Sequence, residues 1–324
     1  MDATRIFDMV GPDLEKVQAR IQECLTSHVG IVDHLGRYVG ENTGKKLRPA
    51  LLVLAGRMVK APEESLPVLG ALVELLHTAS LVHDDIIDEA ATRRGRPSVN
   101  AAFGNQMSVL LGDWMYMTAF QVAVNQHNFR ILDLLLDVTR RMVEGELIQL
   151  ELLDKVETTA AESLDIAARK TAHLFSAATA LPGVAAGLPQ DDQDRLARIG
   201  LNLGLAFQLV DDILDYTADE RKLGKPIMND LREGKLTLPV IYLLEGGDPE
   251  HRRMVEAVLA ERDFRTVPPA AFLAALQSRD CLARTMATAH GYSAAAREDL
   301  QAFAPSVERD ALSSLAEFIL ARRH

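Results

Sequence analysis

Cysteine is nearly absent: Cys24 and Cys281 are the only two in 324 residues. Far apart and in no metal-ligand spacing, they exclude a disulfide framework and a zinc cluster. Aromatic residues are scarce at 5%, with one tryptophan. Alternating β-branched runs bounded by turn pairs, the mark of strands, hardly occur. Positive charge is in deficit, with 35 Lys and Arg against 46 Asp and Glu, a net charge of −11. A chain of that sign has no bulk attraction for nucleic acid, and an anionic substrate would have to be met by local cations or metal ions. No run of about 18 uncharged apolar residues is present. The richest stretch, Leu66 to Val82, holds Glu74 and His77, so no transmembrane segment is expected. Met1-Asp2-Ala3-Thr4-Arg5 lacks the basic segment and apolar core of a signal peptide. Together these absences predict a soluble, cytoplasmic protein.

What is there is helical. Ala and Leu recur at helical spacing along most of the chain, and Gly and Pro cut it into pieces. After Gly11-Pro12 a helix is expected over about 13–38, then a loop from Gly40 to Gly44, and a helix from Pro49 to about Lys60. Pro62 and Pro67 precede a long helix ending near Ala90, and Thr92 to Pro97 reads as a basic loop. Helices follow at about 98–124, 128–154, 160–181 and 191–218, with turns at Pro182-Gly183 and Leu188-Pro189. A loop at 219–236 is rich in Lys, Gly and Asp, and the tail forms shorter helices broken at 246–249 and at Pro268-Pro269. No linker interrupts the chain. Residues 1–324 read as a single all-α domain, one large helical bundle.

The pattern Asp-Asp-x-x-Asp occurs twice, at Asp84-Asp85-x-x-Asp88 and Asp211-Asp212-x-x-Asp215, each closing an apolar helix. Asp84 and Asp88 share a helix face, as do Asp211 and Asp215. Like charges at that spacing repel, and carboxylates at a helix C-terminus oppose the macrodipole. Divalent cations relieve both conflicts, and Mg²⁺ typically takes one or two carboxylates plus substrate phosphates. Asp85 and Asp212 lie about 100° round the helix, in a supporting position or facing outward. Basic segments accompany the acids: Lys45-Lys46-Leu47-Arg48 opens a helix, Arg93-Arg94-Gly95-Arg96 follows the first motif, and Lys222, Lys225 and Lys235 follow the second. Cations beside a metal site suit the capture of phosphate. Lys46, Arg96 and Lys222 read as solvated, and Asp191, Asp192 and Asp194 fit a helix start.

The ordered set Gly-Lys-x-x-Arg-Pro (44–49), His-x₅-His-Asp-Asp-x-x-Asp (77–88), Arg-Arg-Gly (93–95), Lys-Thr (170–171) and Phe-Gln-x-x-Asp-Asp-x-x-Asp (207–215) resembles the trans-isoprenyl diphosphate synthase, or polyprenyl synthetase, family. Within it the chain is most similar to bacterial long-chain synthases of the octaprenyl type. The resemblance implies the isoprenoid-synthase bundle, with its active site in a central cavity between two Asp-rich helix ends, and a homodimer. It implies that Asp84, Asp88, Asp211 and Asp215 hold two or three Mg²⁺ ions, and that Arg93, Lys170, Lys225 and Lys235 bind the allylic diphosphate. Lys45, Arg48, His77 and Arg94 would hold isopentenyl diphosphate. Thr171 and Gln208 would set oxygen dipoles beside the allylic carbon, giving Lys170, Thr171 and Gln208 the catalytic roles, and Phe207 would line the prenyl path.

The implied reaction joins isopentenyl diphosphate head-to-tail to an allylic diphosphate such as farnesyl or geranylgeranyl diphosphate. Behind Asp84 the same helix carries Ser80, Ala79, Leu76 and Val73. Ser80 and Ala79 are small where short-chain members carry an aromatic, which predicts a long product near C40. Trp114, Met115, Tyr116 and Phe120 are candidates for the floor of the tunnel. A C15–C25 synthase, a class I terpene cyclase and a non-catalytic subunit of a heteromeric synthase remain alternatives.

Overall fold

The computed structural model describes residues 1–41, 44, 46–217 and 227–322. Among them the chain is almost entirely helical. The helices of the first two-thirds are α1 (Ala3–Cys24), α2 (Gly30–Gly40), α3 (Leu47–Met58), α4 (Ser65–Ile87), α5 (Val99–Phe103), α6 (Asn105–Val124), α7 (Phe129–Leu152), α8 (Ala160–Ala167), α9 (His173–Ala185) and α10 (Gln190–Thr217). Shorter helices follow at Asn229–Arg232, Leu238–Glu245, Pro249–Glu261 and Pro269–Ser278, before Cys281–Leu300 and Val307–Leu320.

The first helix departs from expectation. It runs through Pro12, and the break falls instead at residues 25–29. A proline inside a helix costs about 3 kcal/mol. Ile6, Val10, Val17 and Ile21 are fully or almost fully buried on one stripe, and each such burial contributes about 1.5–3 kcal/mol. The stripe outweighs the proline. The expected turn at Pro182-Gly183 likewise lies inside α9, where both residues are buried. A Cβ on Gly183 would come within 2.6 Å of Leu196 Cδ1, so the glycine serves a close helix approach.

Thr92 to Pro97, expected as a loop, forms a minimal antiparallel hairpin of β1 (Thr92–Arg93) and β2 (Arg96–Pro97). Arg94 and Gly95 both have positive φ, 54° and 77°, as a two-residue type I′ turn requires. The segment expected at 160–181 is interrupted by a π-helical turn, Ala168–Ala172, between α8 and α9.

Backbone packing divides the chain into two compact units. One comprises Met1–Thr139, Leu174–Gly200 and Asp299–Leu315, the other Arg140–His173, Leu201–Glu298 and Ala316–His324. In the first, α4 packs against α1, α3 and α6, and residues 51–55 with Leu69, Leu72, Leu75 and Leu76 are sealed from solvent. By length and composition α4 is apolar enough to cross a membrane, but 61% of its apolar window is buried within the fold. In the second unit Leu209, Val210 and Leu214 of α10 form a core with Leu238 and Ala289.

Candidate active site

In the first unit α4 delivers the first acidic motif. Asp84 is half-buried, and Asp88 is exposed and caps the helix, its N–H donating to the Asp84 carbonyl at 2.8 Å. Asp85 does not face outward: it is 3% exposed. Its Oδ1 accepts from both Nε (2.8 Å) and Nη2 of Arg93. The hairpin thus folds back on the helix it follows, and Arg93 is held by the middle acid of the motif.

Around the N-terminus of α3 the cations converge. Arg48, in the first turn, lies 4.7 Å from the ring centre of buried Phe175. The Arg94 guanidinium lies so close to Gly44 that a Cβ there would be 2.5 Å from Nη2. Burial, with the positive charges of Arg48, Arg94 and Arg93, holds His77 well below the usual imidazole range. His77 is therefore neutral at pH 7 and offers hydrogen bonding rather than charge. Beside it Glu74 is 6% exposed. Burial pushes its carboxyl up, opposed by Arg48, Arg94 and Lys46. Reading Glu74 only as a charge that spoils an apolar run missed this role. A lone acid inside a buried apolar helix was the available signal. Lys46, read as solvated, is half-buried in a left-handed conformation within reach of Glu74.

Leu76 and Ala79 have no exposed surface, whereas Ser80 is half-buried and donates to the His77 carbonyl at 2.8 Å. Met115 is fully buried, and Tyr116 lies against the His83 ring at 5.8 Å.

In the second unit the π turn presents Lys170 and Thr171. A Cβ on Gly145 of α7 would meet Arg169 Cβ at 2.8 Å and Lys170 Cγ at 3.0 Å, so that glycine lets the turn approach. Lys170 Nζ is held by Glu146 (2.7 Å) and Gln149 (2.8 Å), two partners that the sequence reading did not single out. Thr171 Oγ1 donates to Gln208 Oε1 at 2.7 Å, and Gln208 Nε2 donates to Asp212 Oδ1 at 2.9 Å. Asp212, like Asp85, is buried rather than outward.

Asp211 accepts from Arg322 Nη1 at 2.8 Å, and the same guanidinium lies 4.2 Å from the Phe207 ring centre. Nothing in the sequence pointed to Arg322. Asp215 accepts from the backbone N–H groups of Asn229 (3.0 Å) and Asp230 (3.3 Å). Its carboxyl is pushed up to about 7 by burial and by the charge of Asp230. Burial raises Asp212 as well, aided by Asp230, Asp211 and Asp215. Lys235 Nζ is paired with Glu233 at 2.6 Å. Lys45, Lys222 and Lys225 lie outside the described residues.

Among the described residues no three His, Cys, Asp or Glu side chains form a ready cage. Mg²⁺ needs none, since it keeps several waters and binds through one or two carboxylates plus phosphate oxygens. Carboxylates raised by burial and by one another's charge are the donor set that a hard cation would relieve, so the second motif fits such an ion.

The polyprenyl synthetase family model matches residues 30–271. The octaprenyl diphosphate synthase of Escherichia coli (strain K12) is 38% identical over 265 residues, 82% of each chain. An all-trans-nonaprenyl-diphosphate synthase (geranyl-diphosphate specific) of Rhodobacter capsulatus is 38% identical over 256 residues, covering 79% of this chain and 78% of that one. Among solved structures, a polyprenyl synthase from Caulobacter crescentus CB15, complexed with calcium and isoprenyl diphosphate, superposes with a TM-score of 0.93 at 33% identity. That match covers 100% of this chain and 98% of the other.

Proposed function

The chain belongs to the polyprenyl synthetase family, and from that premise we propose that this trans-prenyl diphosphate synthase extends an allylic diphosphate with isopentenyl diphosphate to a product near C40. The observation that carries the elongation reading is the cluster of Arg48, Arg94 and neutral His77 around buried Glu74. It gathers cations beyond the arginine that pairs with the first acid motif, and a cyclase, which binds one diphosphate, has no use for a second set. Arg48 and Arg94, with Lys45, neutralise the isopentenyl diphosphate, and His77 donates a hydrogen bond to it.

Asp84, Asp88, Asp211 and Asp215 are the proposed ligands of two or three Mg²⁺ ions. Bound there, Mg²⁺ stabilises the negative charge that grows on the departing diphosphate. Arg93, Lys170, Lys225 and Lys235 share that load. Buried Asp85 and half-buried Glu146 hold Arg93 and Lys170 in place beforehand, so little reorganisation is left for the moment of reaction. Thr171 and Gln208 turn oxygen lone pairs to the allylic carbon as it becomes cationic. Among the described residues no side chain is assigned as a general base, and the departing diphosphate takes the proton.

Small Ser80 and Ala79, together with the octaprenyl and nonaprenyl names of the relatives, support a long product. The complete burial of Leu76 and Ala79 favours a second reading, a C15–C25 product. We propose a homodimer. On α6, Leu110, Met117 and Val124 stand exposed at seven-residue intervals, and on α7 so do Phe129, Leu136, Val143 and Leu150. That spacing is the one helices use to interlock, and a second copy of the chain would cover both rows.

The reading is tested with labelled isopentenyl diphosphate. Label should enter a longer, acid-labile diphosphate only when an allylic primer and Mg²⁺ are both present. Release of diphosphate from the primer without incorporation would instead indicate a cyclase or a hydrolase.

A further inference from the structure

In the second unit three left-handed residues meet: Asp154 (φ 63°), Gly234 (φ 87°) and Arg262 (φ 51°). Asp154 stands two residues past the end of α7, and Arg262 directly follows the helix Pro249–Glu261. Glycine is the least strained residue at such helix ends. These two positions carry charged side chains instead, and the charges are paired: Arg262 Nη2 donates to Asp154 Oδ2 at 2.6 Å. The pair is half exposed, 49% and 45%, so it adds little to folding. What it covers is Gly234, which is buried. A Cβ there would collide with Arg262 Nη1 and lie 2.6 Å from Asp154 Oδ1.

Gly234 precedes Lys235, and the peptide that joins them is held from both sides. Its carbonyl accepts from the Asp154 N–H at 3.0 Å, and its N–H donates to the Asp230 carbonyl at 2.8 Å. Farther back, the Met228 N–H donates to the Asp215 carbonyl at 2.7 Å, and Arg232 Nη1 donates to Asp263 Oδ1 at 2.6 Å. The stretch from Met228 to Lys235 is thus pinned to α10, to the residues after the helix Pro249–Glu261, and to the end of α7.

We propose that Asp154 is a positioning residue: braced by Arg262, it seats the Gly234-Lys235 peptide and so sets where the Lys235 ammonium meets the allylic diphosphate. This rests on the reading above that Lys235 binds that diphosphate. A lysine is a point charge on a flexible stem, and the placement of its backbone decides what the stem can reach. The C-terminal part of α7 then supports two of the proposed lysines, Lys170 through Glu146 and Gln149 and Lys235 through Asp154. One helix sets both.

The experiment is a double-mutant cycle on the full chain with Mg²⁺, varying each substrate in turn. Asp154→Gly keeps the left-handed backbone and removes the carboxylate. It should lower kcat/KM for the allylic primer on the order of tenfold, while KM for isopentenyl diphosphate changes less than twofold. The thermal midpoint should hold or rise, because glycine relieves the left-handed strain. Arg262→Gly should give the same pattern, and the two together should cost little more than either, since they act as one unit. In a Lys235→Ala background Asp154→Gly should cost less than twofold.

If Lys235→Ala alone leaves kcat/KM for the primer unchanged, Lys235 does not bind the diphosphate, and the underlying reading falls with the proposal. Should Lys235→Ala weaken the primer while Asp154→Gly multiplies with it in full, or does nothing, the positioning role is overturned and the reading of Lys235 stands. A lowered thermal midpoint with equal losses for both substrates would make the pair merely structural and would also overturn it.

Discussion

Withdrawing divalent cations should make the protein less stable as pH rises, the reverse of ordinary acid denaturation. The cause is Asp215, whose carboxyl is pushed up to about 7 in the folded protein, against about 3.9 in an unfolded chain. Between those values the folded state keeps a proton that the unfolded state has released. The contribution of Asp215 to metal-free stability is therefore full below about pH 4, declines as pH rises to about 7, and is flat above. A gap of about three pH units is worth roughly 4 kcal/mol. Asp212 is raised too and acts in the same direction. Bound Mg²⁺ stabilises the ionised carboxylates, by about 2.7 kcal/mol at a hundredfold excess over Kd, and offsets the decline. The assay is urea denaturation followed by circular dichroism from pH 5 to 8, with EDTA and with Mg²⁺, on the wild type and Asp215→Asn. The asparagine can still accept the Asn229 N–H but cannot ionise. Exposed carboxylates held low elsewhere, such as Glu157 and Glu261, are common to both proteins and cancel in the comparison. A metal-free slope between pH 5 and 7 that is equal in the two proteins would refute the reasoning.

Other perturbations separate the parts of the site. Ala79→Phe puts a ring about 7.5 Å along α4 from Asp84 and should shorten the longest product to C15–C20, read by chromatography of the dephosphorylated chains. Arg48→Ala should raise KM for isopentenyl diphosphate at least tenfold while KM for the allylic primer changes less than twofold, since the two diphosphates use different cations. Leu110→Glu combined with Phe129→Glu should turn the dimer into a folded monomer in sedimentation, because each charge falls on an exposed apolar row.

Much of the fold was legible because helical spacing and breakers agree along most of the chain. The boundaries at 246–249 and Pro268-Pro269 fall where they were expected. Pro12 and Pro182 misled for one reason: a proline states a local cost, and whether buried neighbours outweigh it is settled by packing that a single sequence does not display. The hairpin at Thr92–Pro97 was missed because two-residue strands carry too few residues for alternation, although Arg94-Gly95 had the turn chemistry. In the site, the acid motifs and the basic segments at Arg48 and Arg93-Arg94 stood out as charges that break helix rules or cluster beside them, while the grouping of His77 with Arg48 and Arg94 came from the family resemblance. The inward turn of Asp85 and Asp212 was not. An offset of about 100° along a helix says that a residue leaves the shared face, and only the neighbouring elements decide whether it then meets water, an arginine or a glutamine. Glu146, Gln149 and Arg322 act through partners distant in sequence, which spacing cannot reveal.

The central claim is an elongating synthase with a long product, and the size of that product tests it most directly. Purified protein, Mg²⁺, farnesyl diphosphate and labelled isopentenyl diphosphate should give, after dephosphorylation, a ladder of C5 steps ending near C40. A ladder that stops at C15–C20 would contradict the product length argued from Ser80 and Ala79, and no ladder from any allylic primer would contradict the synthase itself.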